Sequence, residues 1–276
     1  MGSPIRSDFI EADMAKKEPS MTQTMSNGAV SMSPELFEKL YLTPKIPRAG
    51  DNIKRFANPT PLGFAGFVIA DMTFAMVLMG WGGASGLTPV VGIFFFVGPI
   101  LLLLACVFEW IMGNFFPMVA FGVLAVFWLS FGMLQLPTLN LDAPYASTNG
   151  GPSGALSSEF NAVIALYLIV WGFALLTFLV LSLRTNMVFV MMFVSITAGA
   201  WVLSGAYWKL STGDLELAGQ LQKAGGALIF VTGVLAWYMT IVMMAAEMQY
   251  AFFLPVGDLS HYWERGARRR TPDHEA

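Results

Sequence analysis

The chain has 276 residues, of which 56% are hydrophobic and only 12% are charged, and its formal net charge is −3. This composition is too apolar for a soluble domain. Period-2 alternation is missing, which excludes a transmembrane β-barrel. We therefore expect an all-α membrane protein in contact with the lipid bilayer and with no nucleic-acid partner.

Residues 1–57 differ sharply in composition from the rest of the chain. Ser, Thr, Pro, Lys and Glu dominate this segment, and it holds eight of the 15 Lys and Arg residues. We predict a cytoplasmic N-terminal tail that is mostly disordered. The segment Ser33–Tyr41 suits a short helix on the membrane surface, and a transient helix in a disordered tail is the alternative.

The apolar body begins with a motif that we call the helix-mouth motif, formed by Asn58, Pro59, Thr60, Pro61, Leu62 and Gly63. Asn58 can cap a helix, and Pro59 suits its first position. One interpretation is that these residues simply start a helix. The other is that free backbone N–H groups near Leu62 and Gly63 attract a carboxylate at the mouth of a transport path.

Six apolar runs are long enough to cross a bilayer as helices. They lie near 62–80, 88–108, 117–136, 160–183, 187–207 and 224–247. We predict a six-helix transmembrane transport domain at 58–250 and a cytoplasmic C-terminal tail at 251–276. The short connections on one side hold Arg184 and four C-terminal arginines, and those on the other side hold only Lys209 and Lys223. This asymmetry favours cytoplasmic termini.

Asp71 lies inside the first run, one helical turn beyond Phe67. No Lys or Arg occurs between Arg55 and Arg184, so no cation at this depth can neutralise it. A charged carboxylate in a membrane costs about 3 kcal/mol, so Asp71 should face water or be protonated. The functional hypothesis is proton coupling along a pore. The structural alternative is a protonated side chain hydrogen-bonded between helices.

Glu109 and Asn114 flank the connection between the second and third runs. We expect them to fasten this turn more than to contact a substrate. His261 and His274 both follow the last run, and Cys106 is the only cysteine, so no intramembrane histidine base or metal cluster can form. No phosphate-binding glycine loop with a Walker lysine occurs. The sequence therefore predicts neither an enzyme nor a cofactor or metal site.

Several motifs occur in a fixed order along the body. They are the helix-mouth motif, Glu109-Trp110-Ile111-Met112-Gly113-Asn114, Phe127-Trp128-Leu129, Leu141-Asp142-Ala143-Pro144, Tyr167 with Trp171-Gly172, Ala224-Gly225 and Leu254-Pro255-Val256-Gly257. This set resembles the acetate uptake transporter family, also called the GPR1/FUN34/YaaH family, from about Phe56 to Gly257. The polar tail and the long third connection resemble fungal members.

The resemblance implies a six-helix protomer with a pore through each protomer, assembled as a homo-hexamer in the plasma membrane. It implies passage of acetate and related short-chain monocarboxylates, by proton-coupled symport or through a channel. By motif register, the side chains that narrow the pore are Phe67, Leu124 and Ile196. Leu124 replaces a frequent tyrosine, Thr60 an alanine and Asp71 a threonine.

We expect the anion to meet helix N-termini and hydroxyl donors, for which Thr73, Ser195 and Thr197 are candidates, and to pass the three narrowing side chains. Two other functions remain open at this point. One is export of ammonia or ammonium, and the other is a non-transporting membrane sensor or scaffold whose tail carries the signal.

Overall fold

A computed structural model describes residues 56–146, 154–250 and 254–259. All of them belong to one compact unit. The predicted surface helix at Ser33–Tyr41 lies outside the described residues, as do the N-terminal tail up to residue 55 and most of the C-terminal tail.

Six long helices form this part of the chain, which contains no strand. They are α1 (Thr60–Met79), α2 (Val97–Met112), α3 (Phe115–Leu134), α4 (Ser158–Ser182), α5 (Met187–Ser211) and α6 (Leu215–Glu247). A 3₁₀ segment, Thr88–Phe94, precedes α2 and extends the second apolar span to 88–112. All six spans are long and apolar enough to cross a membrane, so the predicted all-α fold with six membrane helices is confirmed.

The main difference from the predicted spans is the start of α6. This helix begins at Leu215 instead of near residue 224, because Asp214 caps it by accepting a hydrogen bond from Leu217 N at 3.2 Å. Its 33 residues give a length of about 50 Å, well beyond the roughly 30 Å of a hydrocarbon core. Lys223 therefore lies on a helix that extends past the apolar layer.

Ring contacts join the early parts of α1, α3 and α5, and a further one joins the later parts of α1 and α3, so these three helices run parallel to one another. We call the face where they begin, at Thr60, Phe115 and Met187, the tail face, and the opposite face the loop face. Neighbours in sequence pack together within α1–α2–α3 and within α4–α5–α6, and α1 also packs against α6. The α1–α2 contact is close because Gly66 has no side chain: a Cβ there would lie 2.6 Å from Leu101 Cβ.

Leu254–Leu259, part of the predicted C-terminal tail, packs against the connection between α4 and α5 on the tail face. Met187 N donates to Gly257 O at 2.8 Å, and Leu259 N donates to Thr185 O at 3.1 Å. Tyr238 Oη of α6 donates to Pro255 O at 2.6 Å. The packed body of the protein therefore extends beyond the last helix.

Candidate functional site

Three cavities follow one another between the helices. The tail-side cavity, of about 30 Å³, includes Thr60 and Phe64 in its lining. The central cavity, of about 40 Å³, is lined by Asp71 and by aromatic and aliphatic side chains. The loop-side cavity, of about 260 Å³, includes Tyr207 and Gln222 in its lining. The lining residues of the three cavities advance from the tail-face ends of α1, α3 and α5 towards the loop face.

Phe67, Leu124 and Ile196, which we call the first triplet, line both the tail-side and the central cavity. They come from α1, α3 and α5, three different helices. Phe67 is 3% exposed, and the other two side chains are half-buried against the aromatic core. The structure therefore brings together the three residues that the family resemblance singled out, and it places them where the two cavities meet.

Asp71 lines the central cavity and is 1% exposed. Its Oδ2 atom is buried and has no hydrogen-bond partner among the described residues. Gly233 of α6 makes room for the carboxyl group, since a Cβ at that position would lie 3.0 Å from Oδ2. Asp71 is the one titratable side chain among the residues that line this cavity. The described residues therefore offer Oδ2 no interhelical hydrogen bond.

The central cavity also contains polar and aromatic groups that sequence reasoning did not assign to the path. Trp128 lines it, and its buried Nε1 has no partner among the described residues. Trp171 and Phe127 pack edge to face beside it, with ring centroids 5.1 Å apart. Phe127 and Trp128 occur in one sequence motif and Trp171 in another, but their convergence becomes visible only when α3 and α4 are placed side by side.

The start of α1 differs from the expectation for the helix-mouth motif. Pro59 is the capping residue instead of the first helical one, and Asn58 Oδ1 accepts a hydrogen bond from Thr60 N at 3.0 Å. Leu62 N and Gly63 N both donate to Pro59 O, at 3.1 and 3.4 Å. The prediction of free N–H groups at these two residues is therefore wrong, because the Pro59 carbonyl already satisfies them.

Thr60 instead contributes its side chain to a buried polar cluster, and it also lines the tail-side cavity. Thr60 Oγ1 donates to Glu109 Oε1, and Asn114 Nδ2 donates to Glu109 Oε2 at 2.6 Å. Asn114 N donates to Glu109 O at 2.9 Å, which closes the α2–α3 turn. All three residues are at most 1% exposed. The cluster ties the start of α1 to this turn, in agreement with the fastening role expected for Glu109 and Asn114.

The three candidate hydroxyl donors do not line any of these cavities. Thr73 Oγ1 donates to Ile69 O, and Ser195 Oγ donates to Met191 O, both at 2.7 Å. Thr197 Oγ1 is buried without a partner among the described residues. The residues described here contain no group of three or more His, Cys, Asp or Glu side chains that could hold a metal ion.

The sequence of this chain is similar to those of a known protein family. Residues 42–261 match the sequence model of the GPR1/FUN34/yaaH family. The chain is 39% identical over 242 residues to protein alcS of Aspergillus fumigatus, covering 87% of this chain and 89% of that protein. It is 29% identical to the acetate transporter protein patA of Aspergillus clavatus, covering 90% and 94% of the two chains.

Among solved structures, the bacterial acetate channel SatP is similar to this chain. The TM-score is 0.57 and the sequence identity 24%, and the match covers 74% of this chain and 100% of the channel. At this identity the likeness concerns the fold. It agrees with the arrangement of six helices described above.

Proposed function

Because the chain belongs to the GPR1/FUN34/YaaH family, we propose that it carries acetate and related short-chain monocarboxylates across a membrane. The observation that carries this proposal is the row of three cavities, with the first triplet between two of them. A row of small cavities between parallel helices suits a small solute and excludes large ones. The names of the relative patA and of the channel SatP support acetate as the solute.

The first triplet acts as the size filter in this proposal. Its three side chains offer no hydrogen bond, so a carboxylate that passes them loses hydration. An acid with a short apolar end fits between Phe67, Leu124 and Ile196 more readily than a longer or branched one. Passage of the acid is either proton-coupled or channel-like. Which of the two applies depends on whether Asp71 takes up and releases a proton during passage.

Asp71 takes up and releases a proton as the substrate passes. Its carboxyl group lines the central cavity, and the described residues offer its Oδ2 no hydrogen bond. A charged Asp71 repels a carboxylate in the same cavity, whereas a protonated one can donate a hydrogen bond to it. Protonation of Asp71 therefore favours entry of the anion.

The protein is a multi-pass membrane protein. In our proposal it lies in the plasma membrane with both termini in the cytoplasm. Arg184 lies at the tail face, and Lys209 and Lys223 lie towards the loop face, so the Lys and Arg residues of the two tails supply the cation excess on the cytoplasmic side. Large apolar side chains such as Val170 and Phe173 of α4, 66% and 57% exposed, face lipid or neighbouring protomers of a homo-hexamer. Transport, and not an enzymatic reaction, is the role of the domain.

Uptake of labelled acetate into proteoliposomes that contain the purified full chain tests the proposal. We expect uptake above that of empty liposomes and competition by unlabelled propionate. Uptake of labelled methylammonium in its place would favour the ammonium alternative, which one carboxylate surrounded by aromatic rings also suits. Uptake of neither solute would support the sensor or scaffold alternative.

A further inference from the structure

The wall of the central cavity is built differently on the side of α3 and α4. The closely packed helix pairs are those within α1–α2–α3 and within α4–α5–α6, together with α1 and α6, and the pair α3 and α4 is not among them. Both helices nevertheless line the central cavity, α3 through Phe127 and α4 through Trp171, among others. On this side, which we call the α3–α4 seam, side chains that bridge two separated helices close the cavity.

Three aromatic rings fill the α3–α4 seam. Phe127 packs edge to face against Trp171, with centroids 5.1 Å apart, and lies nearly parallel to Tyr167 of α4 at 6.5 Å. The rings of Tyr167 and Trp171 also meet, with centroids 6.1 Å apart. Phe127 and Trp171 line the central cavity, whereas Tyr167 lines none of the three cavities. Tyr167 therefore supports the two lining rings without facing the path itself.

One hydrogen bond joins the side chains of α3 and α4 in the described part of the chain. Ser130 Oγ of α3 and Tyr167 Oη of α4 are 2.6 Å apart. The Ser130 hydroxyl group donates to Phe127 O at 3.0 Å, so Tyr167 Oη is the donor of the bond across the seam. The Trp171 indole N–H donates in turn to the Tyr167 hydroxyl group. A continuous series of hydrogen bonds thus crosses the seam, and both of its end residues line the central cavity.

The surroundings make the bond between Ser130 and Tyr167 important for the wall. Both residues lie in helices that are apolar enough to cross a membrane, where no bulk water replaces a lost partner. In a closely packed helix pair, interlocking neighbours would hold the rings in place after such a loss. The α3–α4 seam has no such packing. Loss of this bond therefore frees the rings of Phe127 and Trp171 to move apart, which widens the cavity.

We propose that Ser130 and Tyr167 form a positioning pair that sets the width of the central cavity and thereby discriminates against branched acids. Neither residue lines a cavity, so the pair acts through the rings of Phe127 and Trp171. Because the cavity volume is only about 40 Å³, a small displacement of these rings changes it markedly. This inference rests on the proposed function for the nature of the solute.

The ratio of isobutyrate uptake to acetate uptake in proteoliposomes that contain the full chain tests the pair. Tyr167→Phe removes the donor and keeps the ring, and Ser130→Ala removes the acceptor. Each should raise the ratio roughly five- to tenfold, the factor that corresponds to one hydrogen bond. The double variant should show no larger rise than either single variant, because both changes remove the same bond. Ser130→Thr, which retains a hydroxyl group, should keep the wild-type ratio.

Two outcomes of this measurement would overturn the proposal. An unchanged ratio in both single variants would show that the bond does not set the width. A rise in the double variant equal to the product of the two single effects would show that Ser130 and Tyr167 act separately.

Ser204→Ala is the matched control. Ser204 Oγ donates to Ala165 O at 2.7 Å, so it also joins two helices, α5 and α4. These two helices pack closely, and Ser204 lines none of the three cavities. Ser204→Ala should lower the melting temperature about as much as Tyr167→Phe does and leave the uptake ratio unchanged. An equal rise of the ratio in Ser204→Ala would show that general loosening is responsible and would contradict the assignment to the seam.

A measurement without any solute separates this inference from the proposed function. In protein labelled with 5-fluorotryptophan, the fluorine NMR signal of Trp171, assigned by its loss in Trp171→Phe, reports the position of this ring. Ser130→Ala, on the facing helix, should shift or broaden that signal, and Ser130→Thr and Ser204→Ala should not. A shifted signal without acetate uptake by the wild type would keep the pair as the determinant of ring position and reject acetate as the solute. Acetate uptake together with a signal that Ser130→Ala leaves unchanged would keep the transport function and reject the positioning pair.

Discussion

Replacement of Asp71 by asparagine removes the one titratable group among the described residues that line the central cavity, and it keeps the shape of the side chain. The level of Phe67 is one helical turn away, about 6 Å along the axis. At an effective dielectric constant of about 20, a charged Asp71 raises the energy of an acetate anion at that level by about 2.8 kcal/mol. This corresponds to a factor of about 100 in occupancy.

The charge of Asp71 determines whether acetate uptake rises or falls with pH. At acidic pH, where Asp71 is protonated, the wild type and Asp71→Asn should transport acetate at similar rates. As the pH rises and the carboxyl group ionises, wild-type uptake should fall by as much as about 100-fold relative to the variant, whose side chain remains neutral. The pH profile of Asp71→Asn should therefore be much flatter, and Asp71→Thr should behave likewise.

The assay is labelled acetate uptake into proteoliposomes at a fixed concentration of acetate anion, with the flux into empty liposomes subtracted at each pH. Asp214→Asn is the control, because Asp214 caps α6 and lines none of the three cavities. A constant ratio of the two rates from acidic to mildly alkaline pH, with normal protein content, would refute proton coupling through Asp71.

Three further predictions concern size selection and packing. Phe67→Ala should raise butyrate uptake relative to acetate uptake, and an unchanged ranking at normal surface abundance would remove Phe67 from the filter. Gly66→Ala should lower the free energy of unfolding by about 1–3 kcal/mol, because the added Cβ overpacks against α2. Gly205→Ala should leave it unchanged, because the nearest atom to an added Cβ there would lie 3.8 Å away. Thr60→Val should lower the free energy of unfolding by about 1–3 kcal/mol, because it removes the hydrogen bond that Thr60 Oγ1 donates to Glu109 Oε1. Unfolding curves in detergent that match those of the wild type would contradict this prediction.

The sequence was sufficient to predict the membrane helices, because a long apolar run directly indicates a segment surrounded by lipid. The predicted start of α6 was too late, because the stretch before residue 224 is polar. That stretch is helical since Asp214 caps it and Ala218 is buried on the inner side. The prediction that Asp71 faces water or is protonated depended on the lack of any cation at that depth, which the sequence shows by itself. The structure places Asp71 in the lining of a cavity.

Properties that depend on dihedral angles and on helix rotation were not accessible from the sequence. Pro59 adopts a helical conformation, so its carbonyl accepts hydrogen bonds from the N–H groups of Leu62 and Gly63, which were predicted to be free. Thr73 and Ser195 donate to the carbonyl four residues earlier, a local hydrogen bond that competes with any substrate.

The central claim is that the solute passes between the three residues of the first triplet. The most direct measurement compares acetate uptake by two tryptophan variants of α3, Leu124→Trp and Val126→Trp. Leu124 lines both the tail-side and the central cavity, whereas Val126 is 47% exposed on the outer surface of the helix. We expect Leu124→Trp to abolish uptake at normal protein content and Val126→Trp to transport as the wild type does. Equal uptake by both variants would show that the solute takes another route.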